Sequence, residues 1–208
     1  MTALGLRIST CLLVLLLAAG CSRMPKIIVL EDPLTAAEHV ELGVAYERKG
    51  EIDLARREYE MALRKDAKMF QARFNLGNVF LAKKEYGKAR AEYLQALELR
   101  QGDPEAANNL AWCAILSGEG IEEALGRMES AVSGTGGRRP VFLDTLGVLR
   151  MRANRPAAAA EAFAEAEKLC SDPGAADCPE DVRREIEEHR KELLMRFPIP
   201  PPPPALIK

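Results

Sequence analysis

Residues 74–96 read FNLGNVFLAKKEYGKARAEYLQA, and the spacing of small and apolar residues in this segment recurs along the chain. A leucine followed by a very small residue occurs four times at intervals of 34 to 36 residues: Leu42-Gly43, Leu76-Gly77, Leu110-Ala111 and Leu146-Gly147. Twelve or thirteen residues after the small residue comes an alanine (Ala55, Ala89, Ala124, Ala159), then a large apolar residue (Tyr59, Tyr93, Met128, Phe163) and another alanine (Ala62, Ala96, Ala131, Ala166). A period of this length indicates a helical repeat array that presents a surface for binding.

Each repeat is interpreted as two antiparallel helices. Thr35 and Glu38 predict a capping box at the start of the first helix, and Asp103-Pro104 predicts an N-cap and a first-turn proline in the third repeat. The small residue after each leucine is expected where the two helices of a pair press together, because a larger residue would force them apart. Since no pair can bury its apolar stripe alone, the repeats are expected to stack around one continuous core.

Residues 74–80, together with Tyr86, Ala89, Tyr93 and Ala96, resemble the tetratricopeptide repeat. The resemblance implies an all-α fold, a right-handed α-solenoid of about four helix pairs over residues 35–170. The implied pairs lie at about residues 36–69, 70–103, 104–139 and 140–170. The third repeat departs from the pattern, with one extra residue in the segment 117–120, so the register between the third and fourth repeats is expected to be looser.

The C-terminal part of the chain predicts a loop and a capping helix over residues 171–197. One helical stripe among many charges carries Val182, Ile186, His189, Leu193 and Phe197. His189 is interpreted as a half-buried helix residue rather than a ligand. Residues 198–208 include five consecutive prolines and predict an exposed, disordered, polyproline-like tail, which is either a spacer or a docking segment for a partner.

Two cysteines flank a turn-rich segment near the C-terminal end of the array. Cys170 and Cys178 could close a small disulfide ring, which suits an oxidising compartment; the alternative is a pair of free thiols. Cys113 lies in a helical apolar pattern and is interpreted as a core residue.

The first twenty residues have the features of an export signal: Arg7, a short apolar run over residues 8–19, and the sequence LAAGC at residues 17–21. The last segment resembles the lipobox of bacterial lipoproteins. The resemblance implies a cleaved signal peptide at residues 1–20, acylation (palmitate) at Cys21, and a lipid anchor and short tether over residues 21–34. Ser22, rather than aspartate, favours the periplasmic face of the outer membrane over the inner membrane. An ordinary secretory signal and an uncleaved anchor are the alternatives.

Composition argues against several classes of function. Removal of residues 1–20 takes away one arginine and changes the formal charge from −2 to −3, so no basic surface for nucleic acid is indicated. The two histidines, His39 and His189, lack the spacing partners of a metal site or a catalytic triad. We therefore predict a protein that is not an enzyme and has neither a cofactor nor a metal.

The resemblance implies a concave groove lined by the first helix of each pair, which binds a protein partner or an extended peptide. Asn75 and Asn109 occupy equivalent places, and their amides could hold a peptide backbone. The alternative is that these asparagines and Trp112 are structural. The residues predicted to bind in the groove are Arg48, Asn75, Asn78, Asn108, Asn109, Trp112 and Asp144.

These features together predict a membrane-anchored scaffold or adaptor in the bacterial envelope. Pilotin-like assistance to a pilus, secretion or outer-membrane assembly system is the leading hypothesis. The alternative is an adaptor that recruits periplasmic proteases or peptidoglycan enzymes.

Overall fold

A computed structural model describes residues 32–134, 136–171 and 178–198, and these residues form nine α-helices and no β-strand. The helices are α1 Ala36–Arg48, α2 Ile52–Lys65, α3 Phe70–Ala82, α4 Tyr86–Leu99, α5 Pro104–Ser117, α6 Ile121–Ser133, α7 Pro140–Arg152, α8 Pro156–Ser171 and α9 Glu180–Arg196. All of them belong to one compact unit that begins at Leu34. The predicted signal peptide, Cys21, nearly all of the tether and most of the Pro-rich tail lie outside the described residues.

Helix boundaries follow from local chemistry. At the start of α1, the Thr35 side chain accepts a hydrogen bond from the backbone N–H of Glu38, and the Glu38 carboxylate accepts one from the backbone N–H of Thr35. This is the predicted capping box. Asp103 caps α5 in the same way, accepting a hydrogen bond from the backbone N–H of Ala106 at 2.9 Å, and Pro104 follows it.

The eight helices before α9 form four consecutive pairs, and each helix packs mainly on its neighbours in sequence. The first helices of adjacent pairs also contact each other, α3 with α5 and α5 with α7. The expected all-α helical repeat fold is therefore confirmed. Within the described residues, no helix combines the length and the apolar character that a membrane crossing requires.

Close approach within a pair takes place at the small residues of the repeat. A Cβ atom added at Gly77 would lie 2.6 Å from Cε1 of Tyr93, and one added at Gly43 or Gly147 would overlap the ring of Tyr59 or Phe163. These three rings are completely buried. The third pair has Ala111 in place of glycine and Met128 in place of the ring, and both residues are buried as well. Each pair thus has a small residue in its first helix opposite a large residue in its second.

The last helix closes the array by packing on α7 and α8. Leu193 of α9 is 4% exposed and joins a buried cluster with Val148, Met151 and Phe163. Because α9 covers apolar side chains that would otherwise be in contact with water, it has the role of a capping helix.

Candidate binding surface

A partly exposed strip of apolar and amide side chains runs along α3 and α5, and the exposed carboxylate of Glu105 lies at its edge, one turn before Asn108. We call it the central strip; its members are Gln71, Phe74, Asn78 and Leu81 of α3 and Asn108, Trp112, Ile115 and Leu116 of α5. The two helices are joined across it by a hydrogen bond from Asn109 Nδ2 to Asn78 Oδ1 of 2.9 Å. Leu116, at the end of α5, is the most exposed large apolar residue of the strip, at 53%.

The side chains of Asn75 and Asn109 make contacts within the protein. Asn75 is only 5% exposed; its Oδ1 accepts a hydrogen bond from Gln71, and its amide lies beside the Tyr59 hydroxyl of the preceding pair. Asn109 lies beside the Tyr93 hydroxyl in the equivalent way, and its Nδ2 donates to Asn78 Oδ1. Both side chains thus lie between one repeat and the next, and their binding of a peptide backbone stays a prediction.

The two tyrosines remain protonated donors. Burial raises the pKa of the Tyr59 hydroxyl well above its usual range, and the hydrogen bond to Glu47 Oε2, 2.5 Å long, raises it further. Burial has the same effect on the pKa of Tyr93, whose hydroxyl donates to Asn78 Oδ1 at 2.7 Å. Asn78 Oδ1 thus accepts two hydrogen bonds, and no described residue accepts one from its amide nitrogen.

The other predicted groove residues differ in their availability. Trp112 is partly exposed, and Arg48 is exposed at the end of α1. Asn108 Nδ2 lies 3.5 Å from Asn109 Oδ1. The side-chain oxygen of Asn108, Oδ1, is buried and has no hydrogen-bond partner within the described part of the chain. Asn78, Asn108 and Trp112 are therefore the predicted residues that lie together on the central strip.

Asp144 is buried beneath the capping helix, and its predicted binding role stays a prediction. It is 4% exposed, and its carboxylate oxygens lie 2.9 and 3.0 Å from Nδ1 of His189 on α9. This hydrogen bond raises the pKa of His189, and the Phe163 ring stacks on the imidazole with a centroid distance of 6.2 Å. The contact between His189 and Asp144 thus joins the capping helix to α7 over this position.

Sequence reasoning missed both of these polar links. Each tyrosine precedes its asparagine by sixteen residues, Tyr59 before Asn75 and Tyr93 before Asn109, and this recurring spacing was the available signal. The Asp144–His189 contact had no such signal, because the two residues are 45 positions apart and occur once.

The cysteines and the absence of a metal centre complete the chemistry of the described residues. Cys170 and Cys178 form a disulfide bond. Cys113 is a buried free thiol, and burial raises its pKa to about 11. Within the described residues, no group of histidine, cysteine or acidic side chains could hold a metal ion.

Comparison with known proteins relates this geometry to a family. Residues 40–104 match the family model described as tetratricopeptide repeat. Over these residues the chain is similar to the tetratricopeptide repeat family. This match spans most of the first two helix pairs and the start of α5. A comparison with curated proteins finds no match.

Several solved tetratricopeptide-like structures share the fold. The chain is 21% identical to one in the Cut9–Hcn1 hetero-tetramer of the APC/C, with a TM-score of 0.61, covering 81% of this chain and 32% of that one. It is 17% identical to MamA (41-end) of Desulfovibrio magneticus RS-1, with a TM-score of 0.57 and coverage of 77% and 93%. BtubC of P. vanneervenii is 21% identical, with a TM-score of 0.57 and coverage of 70% and 67%. The chain spans about a third of the Cut9–Hcn1 chain, and at these identities the likeness shows the fold alone.

Proposed function

We propose that the protein is a non-enzymatic scaffold that binds a protein partner on the central strip and is held at a bacterial membrane by lipidated Cys21. The tetratricopeptide repeat fold supports a protein–protein interaction scaffold. The observation that carries the proposal is the composition of the central strip: apolar and amide side chains that are partly exposed. Interface centres are depleted of charge and enriched in aromatic residues in this way.

The polar groups of the strip suit a partner segment with free backbone groups. The Asn78 amide nitrogen can donate to a carbonyl oxygen, and the unpartnered Asn108 carbonyl can accept from an N–H if its side chain turns outward. Trp112 supplies a large anchor between them. The partner segment is therefore expected to be apolar and uncharged over the strip.

The tether extends this proposal to the envelope. The segment LAAGC at residues 17–21 supports lipidation of Cys21, and Ser22 supports outer-membrane localisation at the periplasmic face. Residues 22–32 could span at most roughly 40 Å. A short tether of this kind would keep the repeat array near the membrane, which suits a pilotin-like role in pilus, secretion or outer-membrane assembly.

The binding proposal is tested with two matched leucines at helix ends. Leu116→Asp places a charge on the central strip, whereas Leu99→Asp places one at the end of α4; the two leucines are 53% and 38% exposed. We expect Leu116→Asp to reduce partner recovery from crosslinked membranes at least tenfold and Leu99→Asp to leave it unchanged. Equal recovery with both variants would contradict binding on the strip.

The identity of the crosslinked proteins and the location of the chain test the remaining parts. Recovery of secretin or assembly-barrel subunits supports the envelope-assembly role, and recovery of proteases or peptidoglycan enzymes supports the alternative adaptor role. Cys21→Ser should move the protein from the membrane fraction to the soluble fraction. Retention of that variant in the membrane fraction would contradict lipid anchoring.

A further inference from the structure

Apart from the main chain, the capping helix is attached to the array by one disulfide bond and a few noncovalent contacts. The disulfide joins Cys170, one residue before the end of α8, to Cys178, two residues before the start of α9. Arg190 of α9 binds Glu167 of α8 through both carboxylate oxygens, at 2.7 and 2.8 Å. Most of α9 is exposed; its buried residues are Ile186 and Leu193. The disulfide therefore reinforces a helix with a narrow apolar contact.

The two sulfur-bearing residues differ in their exposure. Cys170 is 7% exposed and belongs to the buried core, whereas Cys178 is partly exposed and lies next to exposed Pro179. Thiol–disulfide exchange requires an attacking thiolate to reach one sulfur atom, and access determines which sulfur is attacked. The exposed member of the pair, Cys178, is the accessible target.

An arginine of α9 contacts the backbone beside the buried cysteine. The Arg183 guanidinium donates to the Cys170 carbonyl oxygen at 3.3 Å, and the two residues line a shared cavity of about 280 Å³. This hydrogen bond adds to the few contacts that hold the start of α9 beside the end of α8.

We propose that the Cys170–Cys178 disulfide is a thiol-exchange site, attacked at Cys178, whose reduction loosens α9 from the array. A thiolate of an external monothiol or dithiol forms a bond to Sγ of Cys178 while the Cys170–Cys178 bond breaks. The electron pair leaves with Sγ of Cys170, which then takes a proton from water. A second thiolate attacks the mixed disulfide and releases Cys178. Overall, two external thiols are oxidised to a disulfide and the protein disulfide is reduced to two thiols.

Loosening of α9 follows from chain entropy. The bond closes a short loop, with a sequence separation of 8, and holds the beginning of α9 beside the end of α8. On the chain-entropy model, loss of such a short crosslink makes local opening about 10- to 100-fold more frequent. Opening would expose Val148 and Phe163, which Leu193 covers in the closed state. The exchange site thus controls access to the apolar side chains that α9 covers at the end of the array.

The direction of attack is tested with reduced glutathione as the probe and N-ethylmaleimide as the trap. The trap caps the released thiol and stops the reverse reaction, and peptide mass mapping then locates both groups. We expect glutathione on Cys178 and the maleimide on Cys170. Cys113 is an internal control, because it is 1% exposed and stays unmodified unless the whole array unfolds. Glutathione on Cys170 instead would overturn the proposed direction.

The effect on α9 is tested by amide hydrogen exchange of the full chain before and after reduction with dithiothreitol. We expect exchange of the Ile186 to Leu193 amides to accelerate about 10- to 100-fold and exchange of α4 to stay unchanged. The double variant Cys170→Ser/Cys178→Ser should reproduce the reduced protein without any reagent. Unchanged exchange in α9, or equal acceleration in α4 and α9, would overturn the proposal.

Discussion

The first two helix pairs, α1–α4, and the last two, α5–α8, fill equivalent positions with different chemistry. In the first two, an acid–base couple crosses each pair: His39 with Glu58 at 2.7 Å and Arg73 with Glu92 at 2.9 Å. In the fourth pair the same positions carry buried apolar residues, Leu143 and Ala162. A cavity of about 370 Å³ lies beside them.

The links between repeats show the same contrast. Tyr59 and Tyr93 present hydroxyls that meet Asn75 and Asn109 of the following first helix. Met128 has no hydroxyl, and the residue equivalent to these asparagines is Thr145, which donates to the Val141 carbonyl of its own helix at 3.0 Å. The amide therefore occurs where the preceding pair presents a hydroxyl.

The largest expected effect concerns the close contact within the fourth pair. Gly147→Ala should lower the free energy of unfolding by about 3 kcal/mol, because the added methyl group overlaps the Phe163 ring. Gly147→Ala combined with Phe163→Met reproduces the Ala111 and Met128 combination of the third pair. We expect the double variant to recover at least half of the loss in urea unfolding. A double variant less stable than Gly147→Ala alone would show that the third pair is not an equivalent solution.

A smaller effect is expected for the hydroxyl–amide links. Asn109→Ala should lower the free energy of unfolding by about 1–2 kcal/mol, because Asn78 Oδ1 loses the hydrogen bond that joins α3 and α5. Thr145→Val, at the equivalent place, should cost about 0.5 kcal/mol or less, since its hydroxyl bonds only within α7. Chemical denaturation of both variants measures the difference. Loss of partner binding by Asn109→Ala without any loss of stability would support the prediction that the amide holds a peptide backbone.

The smallest expected effect is the pH dependence of the capping helix. The hydrogen bond to Asp144 raises the folded-state pKa of His189, so its stabilisation is complete below the unfolded value, about 6.5, and is lost as pH rises through the folded value. Three carboxylates favour the charged imidazole: Asp144 of α7, and Glu185 and Glu192 of α9 itself. α8 contributes the uncharged Phe163 ring.

Hydrogen exchange in α9 should therefore accelerate as pH rises from 6 to 8, after correction for intrinsic exchange. The corresponding change in free energy should be smaller than the change that Asn109→Ala produces. His189→Gln should remove this dependence. Persistence of the same dependence in His189→Gln would assign it to another group.

Local sequence rules predicted most of the fold. The helix pairs, the capping box at Thr35 and the proline start at Pro104 depend on neighbouring residues, which the sequence displays directly. The binding surface was predicted less well, because side-chain exposure depends on which helix lies above a given position. Asn78, Asn108 and Trp112 remain partly exposed, whereas Asn75 and Asp144 are buried.

By itself, the sequence determined that the described chain is an array of paired helices, because its repeating small and large residues meet within one helix pair, about sixteen residues apart. The tertiary structure decided which polar groups stay available to a partner. Asn75 lies beside the Tyr59 hydroxyl, and Asp144 hydrogen-bonds to His189, which is 45 residues away. Such assignments require residues distant in sequence to meet, and a repeat pattern that specifies each pair separately contains no information about the helix that closes the stack.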